Sequence, residues 1–274
     1  MPRRQIERLW RRLGVGFFLG LIGCGGTLLA FTIFPLVALL SRDPALRRAR
    51  IQRIIRQCFR AYCAALHRMR IADIEFEGAD KLRDLRGTLI IANHPSLLDI
   101  VMIMSVTPDV QCVVSAKLWR NPFFRFTVEG AGYIRNDMEP EALMDACVES
   151  LRRGANLVIF PEGTRTQPGG PIHFRRGFAN IATLAGSDLQ LVEITCSPPI
   201  LFKGNPWWRV PEERTKFRMA VGELVEIDSY LTYRWRSLGA RKLVAHLENH
   251  YADKFGHGRP GTPAEDIDRE LVEA

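Results

Sequence analysis

Beyond residue 70 the chain alternates short apolar runs with stretches of helical spacing. Seven runs read as strands: "DIEFEG", "TLIIAN", "VQCVVSA", "GYIR", "NLVIFP", "LQLVEITCS" and "FRMAVGELVEI". Helices are expected after Pro95, Asn121, Glu139, Arg175 and Arg236. Strands alternating with helices predict one α/β domain, its mixed, largely parallel sheet flanked by helices. The domain is expected over residues 71–256. Residues 257–274, ending in "GRPGTPAEDIDRELVEA", read as a loosely attached tail.

The first 70 residues follow another pattern. Residues 13–40 hold no charge, and as one helix they would run about 42 Å, more than a hydrocarbon core of about 30 Å. Glycines and Pro35 predict a bend or break within this segment. It is too long for a cleaved signal peptide and lacks a small-x-small cleavage site. Arginines flank it on both sides, so two membrane topologies fit. One is a bent, re-entrant segment with both ends cytoplasmic, which the glycines and Pro35 favour; the other is a simple span. Ile51, Ile54, Ile55, Cys58, Phe59, Tyr62, Leu66 and Met69 then recur at helical spacing between arginines. Such a helix can lie on an anionic membrane or dock its apolar stripe on the domain's own core. Residues 1–70 are thus expected to be a membrane segment and a basic amphipathic helix.

Charge placement strengthens that division. Residues 1–70 carry 14 Arg, no Lys and the two acids Glu7 and Asp43, a local balance of +12. The whole chain is +8, so the remainder is −4. A nucleic-acid binder spreads basic surface over its folded domain. Here the positive charge brackets an apolar segment, which points to anionic lipid. Six cysteines without a C-x-x-C pair fit buried free thiols in a reducing compartment, and argue against zinc or disulfides. No G-x-S-x-G and no P-loop are present.

Chemistry concentrates at three strand ends. In "NHPSLLD", His94 and Asp99 lie five apart where a buried strand meets a helix that Pro95 would open. A carboxylate bound to one ring nitrogen would leave the other as a base near neutral pH. In "VIFPEGTRT", Gly163 allows a tight turn, and Arg165 offers a planar fork for phosphate. In "GAGYIRND", Arg135 closes a short strand. Two arginines beside a His–Asp pair could hold an anionic substrate near a base. Other candidates carry less. His246 and His250 lack the H-E-x-x-H order and read as a helix surface, and His173 reads as a loop residue. Trp207 and Trp208 are either core or an interfacial anchor.

"NHPSLLD" (an HX4D motif), "GYIR", "FPEGTR" and "SPP", in this order, resemble the four motifs of glycerolipid acyltransferases of the lysophosphatidic acid acyltransferase (PlsC-like) type. The resemblance covers roughly residues 70–225, and Lys117 also fits it. The fourth motif departs: Cys196-Ser197-Pro198-Pro199 replaces a hydrophobic residue before a single proline. The resemblance implies a membrane-bound enzyme of phospholipid biosynthesis. It would move a fatty acyl group from acyl-CoA or acyl carrier protein to a lysophospholipid hydroxyl, 1-acyl-glycerol-3-phosphate first. It implies His94 as base and Asp99 as its orienting partner. Arg135, Glu162, Gly163, Thr164 and Arg165 would form the acceptor site. It implies no bound cofactor or metal, the bilayer as partner, and the inner membrane with the domain on its cytoplasmic side. The altered fourth motif also admits an amino-acid lipid or glycolipid acceptor, and a non-catalytic membrane-binding protein is the rival of another class.

Overall fold

A computed structural model describes residues 2–170 and 172–255; the expected tail lies outside them. Among the described residues seven strands form one sheet. They are β1 (Asp73–Glu77), β2 (Leu89–Ala92), β3 (Val110–Val114), β4 (Ile134–Arg135), β5 (Asn156–Ile159), β6 (Leu189–Ser197) and β7 (Lys216–Val225), each within a run predicted from the apolar pattern or one residue beyond it. Their order is β1-β7-β6-β2-β5-β3-β4, with β6–β7 antiparallel and every other pair parallel. The fold is therefore a mixed, mostly parallel α/β sheet.

Strand alternation sorts the core into two layers. From β2, Ile90 and Ala92 join one apolar cluster, while Leu89 and Ile91 join the other. The first face is covered by α1 (Pro2–Leu40), α2 (Pro44–Arg68) and α3 (Asp99–Val106). The second is covered by α6 (Pro140–Arg152), α7 (Gly177–Ala185) and α9 (Arg236–Phe255). Two short helices, α4 (Ala116–Arg120) and α5 (Pro122–Gly130), link β3 to β4, and α8 (Asp228–Leu231) precedes α9. α4 is absent from the sequence expectations; five residues are too few to show a helical period. Local signals set the longer helices. Asp43 caps α2 by accepting from Ala45 N at 2.9 Å with Pro44 at its first position, and Asn121 with Pro122 does the same for α5.

One expectation changes here. The break expected near Pro35 is absent: α1 runs unbroken from Pro2 to Leu40. Proline removes one backbone donor, and that turn is held from the side, where Phe34 is buried against Gly130. The chain reverses in residues 41–43 instead, and α2 runs back along α1, so that the Trp10 indole donates to Met69 O at 2.9 Å. For α2 the structure decides between the two readings left open. Its stripe of Ile51, Ile55, Tyr62, Cys63 and Leu66 is buried, so it docks on the domain core.

α1 is held against the domain through small residues. Gly14 lies against Ile71, Gly16 against Trp207 and Gly26 against Thr127. Thr27 Oγ1 donates to Phe123 O and Thr127 Oγ1 to Gly26 O, both at 2.9 Å. The outer face leaves Ile6, Leu9, Leu13, Phe17, Leu21, Leu28 and further apolar side chains exposed. It is the one described helix long and apolar enough to cross a membrane.

Candidate functional site

Parallel strands bring their C-terminal ends, and the loops that follow, to one edge of the sheet, where open α/β sheets place ligands. β2 delivers residues 93–99 there and β5 delivers residues 160–166 from the adjacent strand. β2 ends in a side-chain rung: Asn93 Nδ2 donates to Ile194 O, and Ile194 N donates to Asn93 Oδ1, both at 2.8 Å. The buried Tyr251 hydroxyl, 2.9 Å from Ile91 O and 3.0 Å from Val192 O, props the same two strands from α9.

His94 and Asp99 meet. Nδ1 of His94 lies 2.8 Å from Oδ2 of Asp99, and the carboxylate is fully buried. The helix does not start at Pro95 as expected. Residues 95–98 form turns, and α3 opens at Asp99. The extra turn lets Ser96 N donate to Asp99 Oδ2 at 2.7 Å, which seats the carboxylate under the imidazole. Burial pushes the Asp99 carboxyl up, while the bond to His94, the Ser96 N–H and the charge of Arg165 pull it down. The imidazole stacks on Phe160, centroids 4.1 Å apart and planes 18° apart. Phe160 was not singled out in the sequence, where it reads as the last residue of an apolar run.

The turn after β5 grips the backbone of His94. Glu162 Oε1 accepts from His94 N at 2.9 Å, and Thr166 N donates to His94 O at 2.9 Å. Burial raises the Glu162 carboxyl to about 7, against the lowering pull of the His94 N–H. Gly163 has φ +71°, and a Cβ there would stand 2.8 Å from Arg175 Nε. Glycine is thus required twice, for the conformation and for the passing arginine. Arg165 donates from Nη1 to Leu201 O at 2.6 Å, and Thr164 is exposed. In the sequence Arg175 marks only the start of a helix. Its N–H donates to Pro161 O at 2.8 Å, which carries the side chain over the turn. No spacing rule signals that placement.

Arg135 is on the same sheet edge but not beside the pair. β4 lies three places from β2, on the order of 14 Å away at 4.7–4.9 Å per strand. Its guanidinium is engaged in a fork with Asp137, at 2.9 and 2.8 Å, and lies 5.3 Å from the Trp119 ring. Lys117, in α4, is exposed on that edge. A mostly apolar cavity of about 210 Å³ adjoins the site, lined by Asn93, Pro95, Glu162, Ile194, Cys196 and Pro199 among others. The divergent fourth motif forms part of its wall. Burial pushes the Cys196 thiol up to about 12, so it remains protonated there.

The remaining candidates take structural places. His246 Nδ1 lies 2.5 Å from the Tyr230 hydroxyl, and His250 Nε2 lies 3.1 Å from Glu193 Oε1. His173 is exposed in its loop. Trp207 and Trp208 pack edge to face and stay about half exposed beside α1. Among the described residues no three His, Cys, Asp or Glu side chains gather as a metal set would.

The fold and this edge define an α/β domain with a His–carboxylate pair and a basic turn on neighbouring parallel strands. Residues 73–198 match the family model described as Acyltransferase. A 1-acyl-sn-glycerol-3-phosphate acyltransferase of Helicobacter pylori is 37% identical over 105 residues, 36% of this chain and 44% of that protein. The human 1-acyl-sn-glycerol-3-phosphate acyltransferase beta is 29% identical over 121 residues, 41% of this chain and 43% of that one. The chain thus spans less than half the length of these curated relatives. The crystal structure of the 1-acyl-sn-glycerophosphate (LPA) acyltransferase PlsC from Thermotoga maritima superposes with a TM-score of 0.69. It covers 94% of this chain and 100% of that one at 19% identity, a likeness of fold.

Proposed function

We propose that the chain transfers a fatty acyl group from a thioester to the free hydroxyl of a lysophospholipid, 1-acyl-glycerol-3-phosphate first. The observation that carries this reading is the 2.8 Å contact of His94 Nδ1 with the buried Asp99. With Nδ1–H given to the carboxylate, Nε2 is left as acceptor. The acceptor O–H loses its proton to Nε2 as its oxygen attacks the thioester carbonyl carbon. The tetrahedral intermediate expels the thiolate as the C–S bond breaks, and the thiolate takes the proton back from the imidazolium. Asp99 holds the tautomer and stabilises the imidazolium between those steps. Glu162 acts through the backbone of His94 as a positioning residue, while Arg165, with Gly163 and Thr164, receives the acceptor phosphate. Arg135 belongs to this reading only if its fork with Asp137 opens towards the substrate.

The donor is a CoA thioester or acyl carrier protein, used as co-substrate with no resident cofactor. The exposed outer stripe of α1 and the Trp207–Trp208 pair support a lipid-facing side; in this reading the domain works at the inner membrane, on its cytoplasmic side. Radiolabelled acyl transfer in membranes containing the wild type or His94→Ala tests the reading. Activity on lysophosphatidic acid with the wild type and loss with the variant are expected. Equal transfer by both would remove His94 from the chemistry.

A further inference from the structure

The strongest unbalanced charge lies at the opposite edge of the sheet. There α2 and the segments leading into β2 and β3 enclose a cavity of about 490 Å³, within the size range of ligand sites. Arg53, Arg56 and Arg60 line it from α2; Arg83 and Arg86 line it from the approach to β2. The facing carboxylate is Asp109, 3.4 Å from Arg86. Among the described residues Arg53, Arg56, Arg60 and Arg83 have no carboxylate partner. Arg56 Nε is buried there without a hydrogen-bond partner. That leaves four uncompensated guanidinium groups converging on one concavity.

These arginines are not needed to hold α2 in place, because its apolar stripe does so from the other side. Residues 53, 56 and 60 share one helix face by their spacing of three and four. Like charges in a concave wall focus positive potential and repel one another until an anion enters. Guanidinium forks suit phosphate oxygens. We propose that this cavity is a second anion site, taking a phosphate-bearing group. It is separate from the acceptor phosphate site, for it lies where β2 begins and His94 lies where β2 ends. The occupant is a lipid phosphate head group or a soluble polyphosphate, which share this chemistry.

The test uses the full chain in non-ionic detergent at low salt, with Arg165→Gln as background so that the turn after β5 does not contribute. Inorganic pyrophosphate is titrated by calorimetry. One saturable site is expected, weakened at least about tenfold by Arg56→Gln with Arg83→Gln. The exposed pair Arg53→Gln with Arg60→Gln repeats the test should the first variant fail to fold. Flotation on phosphatidylcholine vesicles with and without phosphatidylglycerol then separates the sources. Loss of the phosphatidylglycerol-dependent increment supports the site with a head group as occupant. Unchanged flotation with lost pyrophosphate binding supports it with a soluble anion. Absence of saturable pyrophosphate binding, or equal affinity in a substituted chain with an unchanged melting curve, overturns it.

Discussion

Two ion contacts on one edge of the sheet measure the same 2.8 Å, His94 to Asp99 and Arg135 to Asp137. Their surroundings differ. Asp99 has no exposed side-chain surface, and its carboxylate is built into a turn by the Ser96 N–H. Arg135 is half exposed, and its partner stands two residues along the same segment. Water and salt screen the second pair, whereas the first can orient a ring because solvent cannot compete for its carboxylate. The contrast shows that separation alone does not identify a working pair.

The sharpest way to break the comparison is to delete each side in turn. His94→Ala is expected to lower acyl transfer by about 10³ to 10⁴, and Asp99→Asn by about 10² to 10⁴, with melting curves confirming the fold. Next comes Glu162, whose folded carboxyl sits at about 7 against an ordinary 4.5. A raised carboxyl favours the protonated form in the folded state. Its contribution to stability is therefore complete below about pH 4.5 and is lost as pH rises through about 7. Glu162→Gln, which keeps an acceptor for the His94 N–H, is expected to gain about 3 kcal/mol relative to wild type across that window. Denaturant titrations at pH 4.5, 6 and 8 measure it, and a constant difference would count against the buried carboxyl. Arg165→Ala is expected to raise the Michaelis constant for lysophosphatidic acid about 10- to 100-fold with a smaller change in turnover. Smallest is Asp137→Ala, expected to shift the melting temperature by less than about 2 °C. If it lowers transfer sharply, Arg135 works with its partner and the contrast drawn above fails.

Much of this was legible from pattern. All seven strands fall within the predicted runs or one residue beyond: β2 is continuously apolar because both its faces are buried, whereas β7 largely alternates because one face is exposed. The His94–Asp99 contact was suggested by spacing at a strand-to-helix junction and singled out only by the motif order around it. What stayed hidden depends on distant parts of the chain. Pro35 is tolerated because Phe34 finds Gly130, and α3 starts late because Asp99 is needed by Ser96 and His94. Arg175 reaches Gly163 across a loop, and Arg135 is diverted by Asp137 in the very stretch that marked it as a candidate. The antiparallel run of β6 against β7 likewise leaves no trace in either strand's own pattern.

The rung formed by Asn93 has a consequence for ageing of the protein. Its amide is donor and acceptor at once, one to Ile194 O and one from Ile194 N. Spontaneous deamidation to aspartate leaves the volume nearly unchanged but removes the donor, and sets an anion against a carbonyl in a buried place. One hydrolysed amide, next in sequence to His94, would loosen the end of β2 without touching the ring or its partner. A stored sample would then lose the rung while its overall fold and the His94–Asp99 contact remain intact.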